Sequence, residues 1–295
     1  MAVQENRASS LYIHLPFCAK KCDYCDFFSV PNSDSSGIAT IPDSYLNALV
    51  REVAFYARYY GISTWKTVYL GGGTPSLLNP IQLERLMTGI WKTVGGRRGE
   101  PEVTIEMNPE SVREPLVDAC AANGVTRISL GVQSLNDDSL SAVHRNCTSK
   151  AVLRALNMLS SRWKGALSAD VIAGLPKESA TTFKNGMEIL CSFPLEHMSL
   201  YTLSVEERTP LRALIDDGSV QWDSAKADKL WISGRSVLEK RSIYQYEVSN
   251  FARSGVESAH NTAYWHLDSY IGCGAGAVGS WYGTANADGS EGCSD

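Results

Sequence analysis

The sequence predicts an α/β fold whose parallel sheet rolls into a barrel or partial barrel. Two observations carry this. Six short β-rich apolar runs recur along the chain, and longer amphipathic stretches lie between them. Polar residues also stand at strand ends, Glu106 and Asn108, Gln133 and Ser134, with Asp170 just inside a strand. Strand and helix in alternation imply parallel strands joined by helical crossovers. In such folds chemistry collects at the C-terminal ends of the strands.

The elements follow in order. LYIHLPF (11–17) and TVYLGGG (67–73) read as the first two strands, the second ending in glycines. VTIEMNP (103–109), RISLGVQS (127–134), ADVIAGLP (169–176) and HMSLYTLS (197–204) complete the six. Each is short, rich in β-branched or aromatic residues and bounded by turn formers. Between them SYLNALVREVAFYARYY, IQLERLMTGIWKTV, EPLVDACAANG and SKAVLRALNMLSS carry apolar residues at helical spacing. PNSDSSGIATI (31–41) is a polar loop. After Thr209 the alternation weakens: SAKADKLWISGRSVLEKRS reads as helix and YQYEVSNFA as a further strand. NADGSEGCSD (286–295) has no core-forming pattern and is expected to be disordered.

Composition narrows the function. A net charge of -5 with no basic stripe argues against nucleic-acid binding. No apolar run is long enough to span a bilayer, and MAVQENRASS lacks the apolar centre of a secretory signal. A cytoplasmic, reducing compartment is expected. There the eight cysteines do not form a disulfide framework. Five are scattered singly (Cys120, Cys147, Cys191, Cys273, Cys293), as small buried hydrophobes are.

The other three, Cys18, Cys22 and Cys25, stand together in CAKKCDYCDF. The spacing C-x3-C-x2-C in a polar loop after the first strand points to soft-metal binding. A structural zinc site would need a distant fourth ligand. A four-iron cluster on three thiolates would leave one iron open for a substrate or cofactor. GGGTPS (71–76) lets backbone approach a ligand closely, or simply closes a tight connection. Glu106, Gln133, Arg145 and Asp170 come from successive strand ends or the loops after them. Singly each could be a capping or solvated residue; together they make a polar site at one end of the barrel.

C-x3-C-x2-C in this setting resembles the radical S-adenosylmethionine superfamily, and Tyr24 matches the aromatic usual between the last two cysteines. YIHLPFCAKKCDYCDF, YLGGGTPSLL, IEMNPES, RISLGVQS, HRN, DVIAGLP and YEVSNFA, in order, resemble the oxygen-independent coproporphyrinogen III oxidase-like branch. Within it the chain is similar to the heme chaperones. Phe27 stands where the oxidases carry a fourth cysteine, and HNTAYW (260–265) matches the HNxxYW motif associated with heme.

The resemblance implies a partial (β/α)6 TIM-like barrel over 11–210, after a tail at 1–10. A truncated C-terminal extension over 211–282 would carry the heme motif, and 283–295 would be a polar tail. It implies a 4Fe-4S cluster on Cys18, Cys22 and Cys25. It implies S-adenosylmethionine contacts from Tyr12, Gly72, Gly73, Thr74, Glu106, Gln133, Arg145 and Asp170. Heme would meet His260, with Asn261, Tyr264 and Trp265 nearby. The implied function is heme delivery to membrane respiratory proteins, and a homodimer is allowed. The competing function is radical decarboxylation of coproporphyrinogen propionates; a third is a truncated, inactive barrel. The family usually continues beyond a GAH-type segment, where this chain reads GCGAGAVGSW with Val278 in the histidine's place.

Overall fold

The computed structural model describes residues 7–34 and 36–282. The tail over 286–295 and Cys293 lie outside the described residues. All six expected strands form: β1 (Arg7–Leu15), β4 (Ile62–Gly72), β5 (Glu102–Met107), β6 (Arg127–Gln133), β7 (Ala166–Ala173) and β8 (His197–Thr202). Two short strands, β2 (Phe17–Cys18) and β3 (Val30–Pro31), pair with each other around the cysteine loop. β9 (Tyr244–Gln245), β10 (Asn250–Ala252) and β11 (Tyr270–Cys273) come from the C-terminal part.

The nine-stranded sheet runs β11-β1-β4-β5-β6-β7-β8-β10-β9. Every pairing from β11 through β8 is parallel, and β10 and β9 add an antiparallel edge. This is the α/β partial barrel expected. Three details differ. β1 begins at Arg7, inside the stretch expected to be a tail. YQYEVSNFA makes two short strands, not one. β11 was not foreseen; it lies in the segment that departs from the family pattern and pairs with β1 from Ser10 to Ile13.

The strands alternate cleanly. Leu11, Ile13, Val68, Leu70, Val103, Ile105, Ile128 and Leu130 are fully buried. They face the helices α1 (Asp43–Tyr59), α2 (Pro80–Lys92), α3 (Glu114–Ala122) and α5 (Ser149–Arg162), with a short α4 (Asp137–Ala142) before the last. α8 (Ser224–Glu239) covers β7 and β8 and packs against α6 (Ala180–Leu190), with a short α7 (Pro210–Asp216) between the two in sequence. The stripes are regular: α1 buries Leu46, Leu49, Val53 and Ala57. Helix starts are well specified. Asn79 and Gln82 form a capping box ahead of α2, with Pro80 in its first turn, and Ser179 with Thr182 does the same for α6. The opposite strand positions, such as Tyr12, His14, Tyr69, Glu106, Ser129 and Asp170, carry the polar residues. α9 (Ala259–Trp265) packs on β4. No helix among the described residues is long and apolar enough to cross a membrane.

Candidate functional site

Cys18, Cys22 and Cys25 come together at the C-terminal ends of the strands, on the rim of a cavity of about 510 Å³. The loop that carries them is fastened on three sides. Gly73 N–H donates to Leu15 O at 2.9 Å and Thr74 N–H to Phe17 O at 2.8 Å. Asp23 N–H donates to Val143 O at 3.1 Å, and Asp23 meets His144 Nδ1 at 2.5 Å. Tyr24 packs into a small apolar cluster with Val143, Ile172, Leu175, Leu203 and Leu211. That is the physical reason for an aromatic between the last two cysteines. All three thiols are free. Among the described residues no three His, Cys, Asp or Glu side chains converge on one point as the ligands of a single ion would. A four-iron cubane takes its thiolates on separate irons and suits three thiols spread along a rim. Burial pushes the Cys18 and Cys25 thiols up, so loading a metal there releases protons.

Seven of the eight expected S-adenosylmethionine contacts line the same cavity: Gly72, Gly73, Thr74, Glu106, Gln133, Arg145 and Asp170. Gly72 sits at φ 109°, and a Cβ there would meet the His14 ring at 2.7 Å. Gln133 is held at φ 65°, where β6 and β7 slip register. A side chain in the left-handed region at a bulge is re-aimed, here into the cavity. Arg145 Nη2 donates to Gly131 O at 2.7 Å and to Asn108 Oδ1 at 3.0 Å. Its Nη1 faces Tyr24 OH at 3.4 Å and Cys22 Sγ at 3.7 Å. One guanidinium therefore ties the cysteine loop to β5 and β6.

Two residues sit differently from expectation. Tyr12 does not line this cavity. Its hydroxyl meets His14 Nδ1 at 3.0 Å, while His14 Nε2 lies 2.8 Å from Phe28 O. A carbonyl only accepts, so Nε2 carries the proton and Tyr12 donates to Nδ1. Tyr12 thus steadies the far end of the cysteine loop. Thr74, although on the cavity wall, is turned inward. It accepts from Asn108 Nδ2 at 2.9 Å, and its hydroxyl, against Cys18, works to lower that thiol's pKa.

Glu106 and Asp170 form a carboxylate pair at the base of the cavity. Tyr69 OH donates to Glu106 Oε1 at 2.8 Å and Gly72 N–H to Oε2 at 3.1 Å. Ser129 Oγ donates to Asp170 at 3.0 Å. Burial, reinforced by the charge of Asp170, raises Glu106 to about 7; burial raises Asp170 to about 6. The sequence did not single out Tyr69, Ser129 or Tyr201, although Asn108 was expected as a polar strand-end residue. The signal for them was present: they occupy the same alternate strand positions as Glu106 and Asp170, or follow directly at a strand end.

The raised carboxyls carry a stability consequence. At pH values between the two pKa values the folded state keeps a proton on Glu106 that the unfolded chain has shed. Stability of the ligand-free protein therefore falls as pH rises from about 4.5 to about 7. The upper bound from Glu106 alone is on the order of 3 kcal/mol. Thermal melts across this range are expected to slope down, and Glu106→Gln to flatten the part above about pH 6, beyond the midpoint of Asp170. A melting temperature independent of pH in the wild type would show that Glu106 is not desolvated.

The residues expected to meet heme stand apart from the cysteine cavity, at the other end of the barrel. His260 is 1% exposed. Its Nδ1 lies 2.6 Å from Thr67 Oγ1 and its Nε2 2.7 Å from Tyr264 OH. Burial lowers it to about 3, so it is neutral. Both ring nitrogens are engaged within the protein, and as folded His260 has none to offer a heme iron. The residue expected to contact heme is thus already bonded on both sides within the protein. Ser258 Oγ and the N–H groups of Ala259 and His260 all donate to Glu102, which caps α9. Trp265, by contrast, is 56% exposed.

Comparison with known proteins agrees with this geometry. The Radical SAM superfamily model matches residues 12–189. The chain is 35% identical over 273 residues to the mouse (Mus musculus) protein "Radical S-adenosyl methionine domain-containing protein 1, mitochondrial", covering 92% of this chain and 60% of that one. It is 34% identical over 277 residues to heme chaperone HemW of Bacillus subtilis, covering 93% of this chain and 72% of that one. Its fold is similar to that of coproporphyrinogen III oxidase (HemN) from Escherichia coli, with a TM-score of 0.78 at 22% identity, over 94% of this chain and 65% of the other. The chain thus spans about three fifths of the length of the mouse protein. By the matched family model and these relatives, the chain belongs to the radical SAM superfamily, in the subgroup related to HemW.

Proposed function

We propose that this chain is a heme carrier of the radical SAM superfamily, which passes heme to respiratory acceptor proteins at a membrane. Cys18, Cys22 and Cys25 hold a 4Fe-4S cluster, and S-adenosylmethionine occupies the cavity beside it. When bound, the cluster supplies an open iron and an electron for sulfonium cleavage. The observation that carries the reading is the exposure of Phe27, 69%, in the place of a fourth cysteine. It lines the edge of the cavity with an apolar ring and brings no fourth thiolate to it. The relatives named heme chaperones support it, at 34% identity over most of the chain.

The chain's own residues then have defined tasks. Arg145 holds the cysteine loop against β5 and β6. Glu106 fixes the glycine turn through Gly72 N–H. Gln133, Asp170 and the peptide groups of Gly72 and Gly73 present polar atoms to the nucleoside and amino-acid parts of S-adenosylmethionine. Heme cannot reach His260 while Thr67 and Tyr264 hold it. The open side of the same segment is Trp265, His266 and Leu267, with Leu267 66% exposed. Trp265 offers a flat face for a porphyrin and His266 an accessible imidazole. We place the heme contact there.

An anaerobic heme titration of the cluster-loaded protein tests this. Binding is expected to saturate near one heme per chain. The Soret band should change in His266→Ala and be retained in His260→Ala. No saturable binding overturns the carrier reading. Conversion of coproporphyrinogen to a vinyl product would replace it with the oxidase reading.

A further inference from the structure

Beneath the carboxylate pair the barrel interior stays polar. Thr104, Arg127, Ser129, Ser168, His197 and Ser199 line a second cavity of about 230 Å³. Closed barrels usually fill these layers with branched apolar side chains. Here small hydroxyl residues leave space instead. Tyr69 and Tyr201 border both this cavity and the one at the cysteines, so the two are stacked along the barrel. The floor is α9, which contributes Asn261, Tyr264 and Trp265.

Three polar atoms around this space have no partner: Thr104 Oγ1, Arg127 Nη1 and Asn250 Oδ1. Their residues are 1%, 5% and 7% exposed. Buried polar groups are ordinarily paired, and an unmade bond is costly. Three around one cavity mark a place where a polar molecule belongs. The neighbouring groups are spoken for. Arg127 pairs with Glu102 at 3.2 Å and donates to Val256 O at 2.9 Å. Tyr246 OH accepts from Ser258 N–H at 3.3 Å and lies 2.9 Å from His197 Nε2. His197 Nδ1 in turn meets Ser168 Oγ at 2.7 Å, so both ring nitrogens are engaged.

We propose that this lower cavity binds one small neutral polar molecule that pairs a carbonyl-type acceptor with an N–H donor, a primary carboxamide being the simplest form. The acceptor takes Arg127 Nη1 and the Thr104 hydroxyl; the donor serves Asn250 Oδ1. Charge selects neutrality. The Arg127 charge is already balanced by Glu102, and Glu247 also lines the cavity, so an added anion meets two carboxylates. A cation meets the free guanidinium edge. Size excludes a porphyrin or a nucleoside cofactor, since the space is smaller than the roughly 300 Å³ at which drug-sized sites begin. Helix α9, which carries the HNTAYW sequence, is on this account the floor of a ligand site, pinned by His260 and capped by Glu102.

The cavity could instead hold about eight waters, at roughly 30 Å³ each, and the experiment removes that alternative. Acetamide is titrated into the anaerobic, cluster-loaded full chain and followed by saturation-transfer NMR, and crystals are soaked in it. Saturable binding of one acetamide per chain is expected, with density between Arg127 and Asn250. Thr104→Val keeps the shape of the residue and lies outside the cysteine cavity. It should weaken acetamide at least tenfold while leaving S-adenosylmethionine affinity unchanged. Asn250→Leu is the second variant, with the same expectation. Binding that does not saturate, binding equal in Thr104→Val and wild type, or density for waters alone would overturn the proposal.

Discussion

Gly73→Ala is expected to prevent assembly of the iron–sulfur cluster and to destabilise the fold by about 2–3 kcal/mol. The reason is space, not backbone angle. A Cβ on Gly73 would stand 2.6 Å from Phe17 O and 2.9 Å from both Leu15 O and Phe17 N. These are backbone atoms and cannot swing aside as a side chain would. They belong to the segment that leads straight into Cys18. The bonds from Gly73 N–H and Thr74 N–H that latch this segment would be pushed apart, and Cys18 would move with it. Gly186→Ala is the matched control, because its Cβ meets only Leu135 Cβ at 3.6 Å. It should be neutral or stabilising by up to about 1 kcal/mol, as for glycine in a helix. Charge-transfer absorbance after anaerobic reconstitution, with melts of the ligand-free protein, separates the two variants. Wild-type cluster content in Gly73→Ala would show that the latch does not set the cysteine geometry.

Arg145→Met should cost about 2–4 kcal/mol and weaken S-adenosylmethionine at least tenfold. Hydrogen bonds from a charged donor contribute roughly 1.5–3 kcal/mol each, and the loss strands their acceptors. Here the acceptors are Gly131 O and Asn108 Oδ1, with Tyr24 OH and Cys22 Sγ on the other nitrogen. Burial works against the charge of Arg145, but Tyr24 and Cys22 beside it hold its pKa above the usual value. Arg145→Lys should not rescue, because one ammonium cannot reach partners on both β5 and β6 and the cysteine loop at once. Calorimetric titration of S-adenosylmethionine and melts of each variant measure the two effects. Full affinity in Arg145→Lys would mean that only its charge matters.

The outward faces of the strands made the barrel legible. Leu11 and Ile13, Val68 and Leu70, or Val103 and Ile105 alternate with polar residues over enough length to show a period of two. Strand starts were less legible, because Ile62 to Lys66 and Ala166 to Ser168 mix apolar with polar residues. β11 escaped notice because four residues between serine and glycine carry no pattern of their own. They become a strand only because the edge of β1 is free to receive them. The cysteine rim was legible from spacing, and the polar cavity residues Glu106, Gln133, Arg145 and Asp170 from their places at strand ends or in the loops after them. The sequence could not show which way Thr74 turns, since that depends on Cys18 and Asn108. The burial of His260 depends on Thr67, 193 residues away. The lower cavity is spread over single Thr and Ser positions in different strands, and only curling of the sheet gathers them.

The sheet order has a consequence for synthesis on the ribosome. β1 is made well before β11, which closes one of its edges. At about 5–20 residues per second, roughly 10–50 s separate the emergence of the two strands. Throughout that interval the nascent chain exposes a strand edge directly beside three reduced thiols. Cluster insertion and edge protection are thus matters of timing: the cysteine loop emerges long before the sheet that steadies it is complete.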